Sequence, residues 1–268
     1  MKRSLFPGLT LVFCLVFFYL PLAVVVVGSF NDSRFGGDWR GFTLKYYNQL
    51  LRDREIRGAL ENTLVIAFWS TLTCMVLGTM AAFALHRHRS RLQFFHLSLI
   101  YSPLVAPEIL MGISLLLFFG AVGADLGMTT IYLGHVTFCL SYVAMTVLGR
   151  LQDFDFSLID AARDLGASSW TATRKILLPV IAPGIIAGGL LAFTLSLDDF
   201  VVTFFLSGAG SKTLPIYIYS SIKRGSTTKL NALSAILLVV TFLVVIISHF
   251  TAGRLDRSEK TKEAKASG

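Results

Sequence analysis

The chain has 268 residues, of which 54% are apolar and 15% charged, with a mean hydropathy of +0.68. Soluble domains carry about a quarter charged residues, and here the deficit is concentrated in long charge-free runs, which excludes a disordered chain, a collagen-like chain and an ordinary cytosolic globule. The excess of 24 basic over 16 acidic residues, net +8, fits basic loops beside anionic lipid, so a lipid bilayer and no nucleic acid is the expected surrounding.

A spanning helix needs ~20 largely apolar residues to cross a core of ~30 Å. The runs 4–30, 62–85, 92–124, 126–149, 176–197 and 230–253 predict six such helices, the third interrupted by Glu108. The first run opens with Lys2 and Arg3, as a signal peptide would. It is too long for a signal core and no A-x-A site follows, so it is expected to be retained as a helix. Cys14, Cys74 and Cys139 all fall in these runs, so neither a disulfide framework nor a thiolate metal site is expected. The segments on the N-terminal side of the membrane hold 14 of the 24 Lys and Arg, among them the compact run 86–91 and the tail. Both termini are therefore expected in the cytoplasm. No internal repeat is visible. Residues 1–257 read as one six-helix domain, and 258–268 as a disordered cytoplasmic tail.

The longest inside loop, 150–175, carries the most information. Ser157 is placed to cap a short helix ending near Asp164, and Gly166 to stop it in a left-handed turn. A second helix is expected from Ser168 or Ser169 to Leu178, limited by Pro179 and Pro183. The result is a compact knob from which Ala161, Leu165 and Trp170 can enter a groove on a partner. A plain connecting loop is the competing reading.

Asp160, Ala161, Ala162, Gly166, nine further residues, then Ile176, Leu178 and Pro179 match the spacing E-A-A-x3-G-x9-I-x-L-P. This resembles the coupling loop of bacterial ABC importer permeases, with Asp160 in place of the family's Glu. The resemblance extends over nearly the whole chain. Residues 29–36, 41–47, 135–139, 193–199, 214–217 and 231–233 look like the spermidine/putrescine branch, and most like the second of its two membrane subunits. It implies an all-α integral membrane protein of MetI-like, binding-protein-dependent permease architecture in the bacterial inner membrane. The residues Asp160, Ala161, Ala162, Leu165, Gly166 and Ala167 would couple it to a cytoplasmic ABC ATPase dimer. Its other implied partners are a second, homologous permease subunit, a periplasmic polyamine-binding protein and the polyamine itself. No cofactor is expected on this chain, since ATP and Mg would sit on the ATPase. Residues 208–213 superficially suggest a phosphate loop, but Ser211 stands where that pattern needs Gly, and a Gly-rich turn is the better reading.

Carboxylates at membrane depth are costly and by default mark a polar pathway. Glu108, Asp198 and Asp199 are the candidates. Glu108 follows Pro103 and Pro107, which interrupt a helix ladder and can open a polar gap. No basic residue within the spans is placed to pair with the three acids, which describes a weak cage for a cation. The alternative is that Asp198 and Asp199 only end the fifth helix in water, and that Glu108 is protonated or solvated. A polyamine carries ammonium groups along a flexible chain, so it needs spaced carboxylates and aromatic faces. Ser196 is the expected hydrogen-bonding neighbour of the acid pair, and Tyr46 the aromatic in a stretch matching the branch. Tyr19 and Trp39 read as interfacial belt residues.

His86, His88, His96, His135 and His249 lack ligand spacing and read as satisfied polar side chains. Three alternatives stay open: a permease for another cation such as iron(III), a stand-alone secondary transporter, and an intramembrane enzyme using Ser196, Asp198 and a histidine such as His135. No catalytic signature supports the last, and a transporter subunit rather than an enzyme is expected.

Overall fold

The computed structural model describes residues 6–87 and 91–243. The expectations for Lys2, Arg3, His88, His249 and the tail 258–268 fall outside those residues. In chain order the elements are α1 (Phe6–Gly28), α2 (Lys45–Arg52), α3 (Arg54–Arg87), α4 (Gln93–Val105) and α5 (Glu108–Ala121). They continue with α6 (Met128–Gln152), α7 (Ser157–Asp164), α8 (Ser169–Asp198), α9 (Val201–Leu206), α10 (Leu214–Lys223) and α11 (Thr227–Leu243). The one extended pairing among the described residues is an isolated antiparallel bridge between Asn31 and Phe42.

Four helices, α1, α3, α6 and α8, are long and apolar enough to cross a membrane. The third expected run is not straight: α4 and α5 meet at a bend of 110°. Proline explains the break. Ala106, which precedes Pro107, is forced out of the helical region to ψ 133°, and Pro107 continues extended at ψ 131°. Counted as one span, the bent pair makes five. The last expected run, 230–253, is met by the apolar α11 as far as Leu243, and its remainder lies outside the described residues.

The fold departs from expectation at two further places. Helix α3 begins at Arg54, ahead of its apolar run, because nothing after Asp53 breaks a helix. The helix after Ser168 does not stop at Leu178. It passes through a π-helical stretch, Thr173–Leu177, and continues unbroken to Asp198. Pro179 sits just past this wide stretch, at the start of renewed α-helix, where its missing N–H is tolerated.

The chain divides into two compact units. In the unit Arg54–Tyr217, α3, α6 and α8 enclose a core that includes Ile131, Val143, Val147, Leu151, Ile181 and Ala192. Small residues permit the close crossings: a Cβ on Gly188 would lie 3.1 Å from the Val143 Cα, and one on Gly78 2.9 Å from the Val143 Cβ. Without a hydrophobic drive between helices in lipid, such backbone approach supplies much of the association.

The other unit comprises, among the described residues, 6–53 and 218–243. There Asn31 organises the segment after α1. Its amide donates to the Asp38 carbonyl at 3.0 Å and accepts from the Arg40 N–H at 2.9 Å. Phe30 stacks on Phe42 with ring centroids 5.2 Å apart, and Thr228 donates to the Ser33 carbonyl.

Candidate functional site

Two helix breaks in the unit Arg54–Tyr217 frame a cavity of about 240 Å³. One is the bend at Ala106 and Pro107, and the other is the extended turn at Asp199 between α8 and α9. Pro103, Glu108 and Met111 line the cavity from the first break, Phe138 and Tyr142 from α6, and Asp198 and Asp199 from the second. The three acids expected to share a pathway are therefore brought to one place, although 90 residues separate Glu108 from Asp198 in the chain.

Their surroundings differ. Glu108 lies in the first turn of α5, where the positive end of the helix dipole favours a carboxylate. Asp198 is exposed and ends α8, where the dipole opposes its charge, so it gains most from an external cation. The Asp199 side chain is only 6% exposed. Its Oδ2 accepts from the Thr203 N–H at 2.8 Å and the Thr203 hydroxyl at 2.7 Å, and its Oδ1 from the Val202 N–H at 3.3 Å. Asp198 and Asp199 do end a helix, as the alternative reading held, but inside a cavity wall. The volume is below the roughly 300–1,000 Å³ of pockets for drug-sized ligands. It suits one ammonium end of a slender chain.

One expectation is corrected here. The acids do have a basic neighbour within the spans: His135, 1% exposed, has its Nε2 3.2 Å from Asp199 Oδ2. The same nitrogen lies 2.9 Å from Thr203 Oγ1, and Nδ1 lies 2.7 Å from Ser196 Oγ. Ser196 continues to Ser70 on α3 at 3.2 Å. Ser196 thus reaches Asp199 through the imidazole rather than directly. His135 is a satisfied polar histidine, as expected, but it is also the hub of the site. Chain spacing gives no sign of this, since 61 residues separate it from Ser196 and 64 from Asp199. The available clue was a histidine standing in an otherwise charge-free run. Although Ser196, His135 and Asp199 are arranged in a line, Ser196 is 3% exposed and does not line the cavity. It is placed as a tether and not as a nucleophile.

Tyr46 lies in the other unit, on α2. It is buried, lines a separate recess with Arg34, Lys45, Gln49, Ser226 and Lys229, and has the Lys45 ammonium 5.7 Å from its ring centroid. Tyr19 and Trp39 are more than half exposed, in keeping with belt positions.

The loop 153–168 forms the second candidate site. Helix α7 spans Ser157–Asp164, but Ser157 is not its cap; the Asp155 carboxylate accepts the Ser157 N–H at 2.9 Å. That bond holds the Asp155 carboxyl below the usual carboxylate range, so the bond is present at neutral pH and is lost only on strong acidification. Gly166 ends the helix with φ +88°, and the Ala167 N–H returns to the Ala162 carbonyl at 3.0 Å. Ser168 then caps α8 by accepting from the Thr171 N–H. Asp160 and Ala161 are exposed on this knob, and Ala162 and Ala167 are half-buried. Leu165 is 90% and Trp170 69% exposed, an apolar face that a plain connecting loop has no reason to present. Residues 208–213 form the expected turn, where Ser211 bonds both backbone groups of Gly208.

The family model for the inner membrane component of binding-protein-dependent transport systems matches residues 75–261. The chain belongs to that family. It is 41% identical over 236 residues to the spermidine/putrescine transport system permease protein PotC of Escherichia coli (strain K12), covering 88% of this chain and 89% of that one. It is also 41% identical over 248 residues to the putrescine transport system permease protein PotI of the same strain, covering 90% and 88%. Among solved structures, a bacterial ABC transporter involved in the import of the acidic polysaccharide alginate superposes with a TM-score of 0.70 at 17% identity, over 94% of this chain and 97% of that one. The MetNI methionine ABC transporter superposes at 0.60 with 19% identity, over 81% and 99%. At these identities the structures show the fold. This chain is accordingly a multi-pass membrane permease component of a transport system.

Proposed function

We propose that this chain is one membrane subunit of an ATP-driven importer for polyamines, spermidine or putrescine, and forms half of the translocation pathway. The observation that carries the reading is the convergence of Glu108, Asp198 and Asp199 on one cavity, with aromatic faces from Phe138 and Tyr142 beside them. The fold alone leaves the sign of the cargo open, since a neighbour with the same fold imports an acidic polysaccharide. The acidic cavity favours a cation, and the substrates named for PotC and PotI favour a polyamine.

In this reading both termini are cytoplasmic, and a periplasmic binding protein delivers the polyamine. The exposed face of Leu165 and Trp170, presented by the turn at Gly166, docks on a separate ATPase pair that holds ATP and Mg. Closure of that pair moves the knob. Because α8 runs unbroken from Ser169 to Asp198, displacement at the knob reaches Asp198 at the cavity through a single helix. A second, homologous permease supplies the other half of the path. Asp198, whose charge its own helix opposes, is the first contact for an ammonium group, and Glu108 and Asp199 hold the next. Tyr46 serves, on this proposal, as an aromatic contact for the substrate.

The test is uptake of labelled spermidine and putrescine by cells carrying the complete set of subunits, with Glu108→Gln, Asp198→Asn and Asp199→Asn compared with wild type at matched subunit levels. Uptake is expected to fall at least tenfold in Asp198→Asn, the loss of one charge contact at ~1.5–3 kcal/mol. Wild-type uptake in all three variants would remove the acids from the pathway.

A further inference from the structure

The buried network behind the cavity has a property that the transport reading does not use. His135 is enclosed by hydroxyl groups at both ring nitrogens, Ser196 at Nδ1 and Thr203 at Nε2. A hydroxyl both donates and accepts. As imidazolium, His135 donates from Nδ1 to Ser196 and from Nε2 toward Asp199 and Thr203. As the neutral Nδ1–H tautomer it still donates to Ser196, and the Thr203 hydroxyl turns from Asp199 Oδ2 to donate into Nε2. Both charge states of the imidazole thus keep a partner at each nitrogen without any movement of backbone, and in the neutral state Asp199 Oδ2 is freed for an arriving cation.

The groups facing it leave one source of charge. Ser196 of α8 and Thr203 of α9 meet its ring nitrogens, with Ser70 of α3 one hydroxyl beyond Ser196. Its own helix contributes Phe138, with ring centroids 5.3 Å apart. At the break stands Asp199, the only carboxylate paired with His135 among the described residues. Asp198 and Glu108 complete the acidic wall farther along the cavity. Asp199 is shared, since it bonds the network and also lines the cavity.

We propose that His135 is a positioning residue that exchanges one proton for one substrate ammonium at Asp199. With the cavity empty, the imidazolium neutralises the buried carboxylate, which is otherwise an uncompensated charge in a low-dielectric setting. When an ammonium group arrives at Asp199, the proton on Nε2 leaves by way of Oδ2 to the cavity. Thr203 rotates to fill the vacant acceptor, and the buried network keeps its net charge. One cation enters and one proton departs. This deepens the polyamine reading and rests on it.

The consequence is a pH dependence whose sign is fixed. Substrate and proton compete for the same carboxylate, so affinity is weak at acid pH, rises with pH and then levels.

The experiment uses the complete importer with its binding protein and ATPase in proteoliposomes, measuring spermidine uptake between about pH 5 and 8. Wild type, His135→Gln, His135→Asn and Asp198→Asn are compared. In wild type the apparent KM is expected to fall by up to about tenfold per pH unit on the acid side. In His135→Gln the profile is flat. Asp198→Asn lowers uptake at every pH and retains the wild-type slope. Equal slopes in wild type and both His135 variants would overturn the proton exchange while leaving the cation pathway intact. Wild-type uptake in Asp198→Asn would instead strike the underlying reading. If the His135 variants fail to assemble, proton release is measured on adding spermidine to the purified wild-type complex in weak buffer. Up to one proton per bound substrate is expected, and none released would refute the proposal.

Discussion

Asp198 and Asp199 are neighbours in sequence with different physical duties. Asp199 accepts three hydrogen bonds and is tied to a buried imidazole, whereas Asp198 stands exposed at a helix end. Replacing Asp199 by Asn puts an amide donor beside the N–H and O–H of Thr203 and leaves buried partners unsatisfied, a loss of about 1–3 kcal/mol. Thermal unfolding of the purified subunit should show a lower Tm for Asp199→Asn and a Tm for Asp198→Asn indistinguishable from wild type. Equal shifts for the two would contradict the division of roles. The acids were legible in the sequence because charge in an apolar run has few structural reasons to exist. Their histidine partner was not, because the contact depends on α6 lying against α8 and α9, which chain spacing does not encode. Tyr46 illustrates the converse: matching a branch gave its position in the chain but not its surroundings, a recess with Arg34, Lys45 and Lys229.

At the scale of elements, the apolar runs placed the spanning helices well, and the errors arose where a helix was judged to break. Two prolines at 179 and 183 suggested a stop, yet α8 absorbs them through a wide π-helical stretch and stays continuous. Pro107 does break its helix, because the residue before it is forced extended. The turn at Gly166 was legible because only a residue without Cβ enters φ +88° readily. That turn supports a prediction. Gly166→Val forces a β-branched side chain into the left-handed region at ~1–2 kcal/mol, which unwinds the last turn of α7 and misdirects Leu165. Since Gly166 packs against nothing within 4 Å, the membrane core is unaffected. Co-purification of the ATPase should drop several-fold while the amount of permease in the membrane stays constant. Retention of normal ATPase binding and transport would remove the knob from the coupling path. The crossing of α6 and α8 gives a contrasting case. Gly188→Leu would drive a side chain into the Val143 backbone, which cannot yield. Overpacking of this kind costs about 1–3 kcal/mol or more, and the expected result is loss of folded subunit from the membrane, seen by immunoblot.

For the whole molecule the decisive question is the source of energy. A proton exchanged at His135 invites confusion with a secondary transporter, in which a proton gradient drives the cargo. The two differ in where the proton goes. In the exchange proposed here the proton leaves as the ammonium enters and returns as it departs, so any proton that crosses the membrane moves opposite to the substrate and an inward proton gradient does not drive uptake. On the proposed function the drive comes from an ATPase docked at Leu165 and Trp170, acting through α8. Two treatments separate these cases in proteoliposomes holding the complete importer. Collapse of the proton gradient with an uncoupler, ATP being present, should leave the initial rate of spermidine uptake within about twofold of the untreated rate. Omission of ATP with the gradient intact should lower uptake by about a hundredfold or more, since on this proposal only ATP is coupled to moving the polycation against its gradient. The reverse pattern would return the chain to the class of gradient-driven carriers and leave the exposed apolar face of the loop without a purpose. Sensitivity to both treatments would mean that a proton moves with the substrate instead of exchanging for it, which would overturn the exchange at His135.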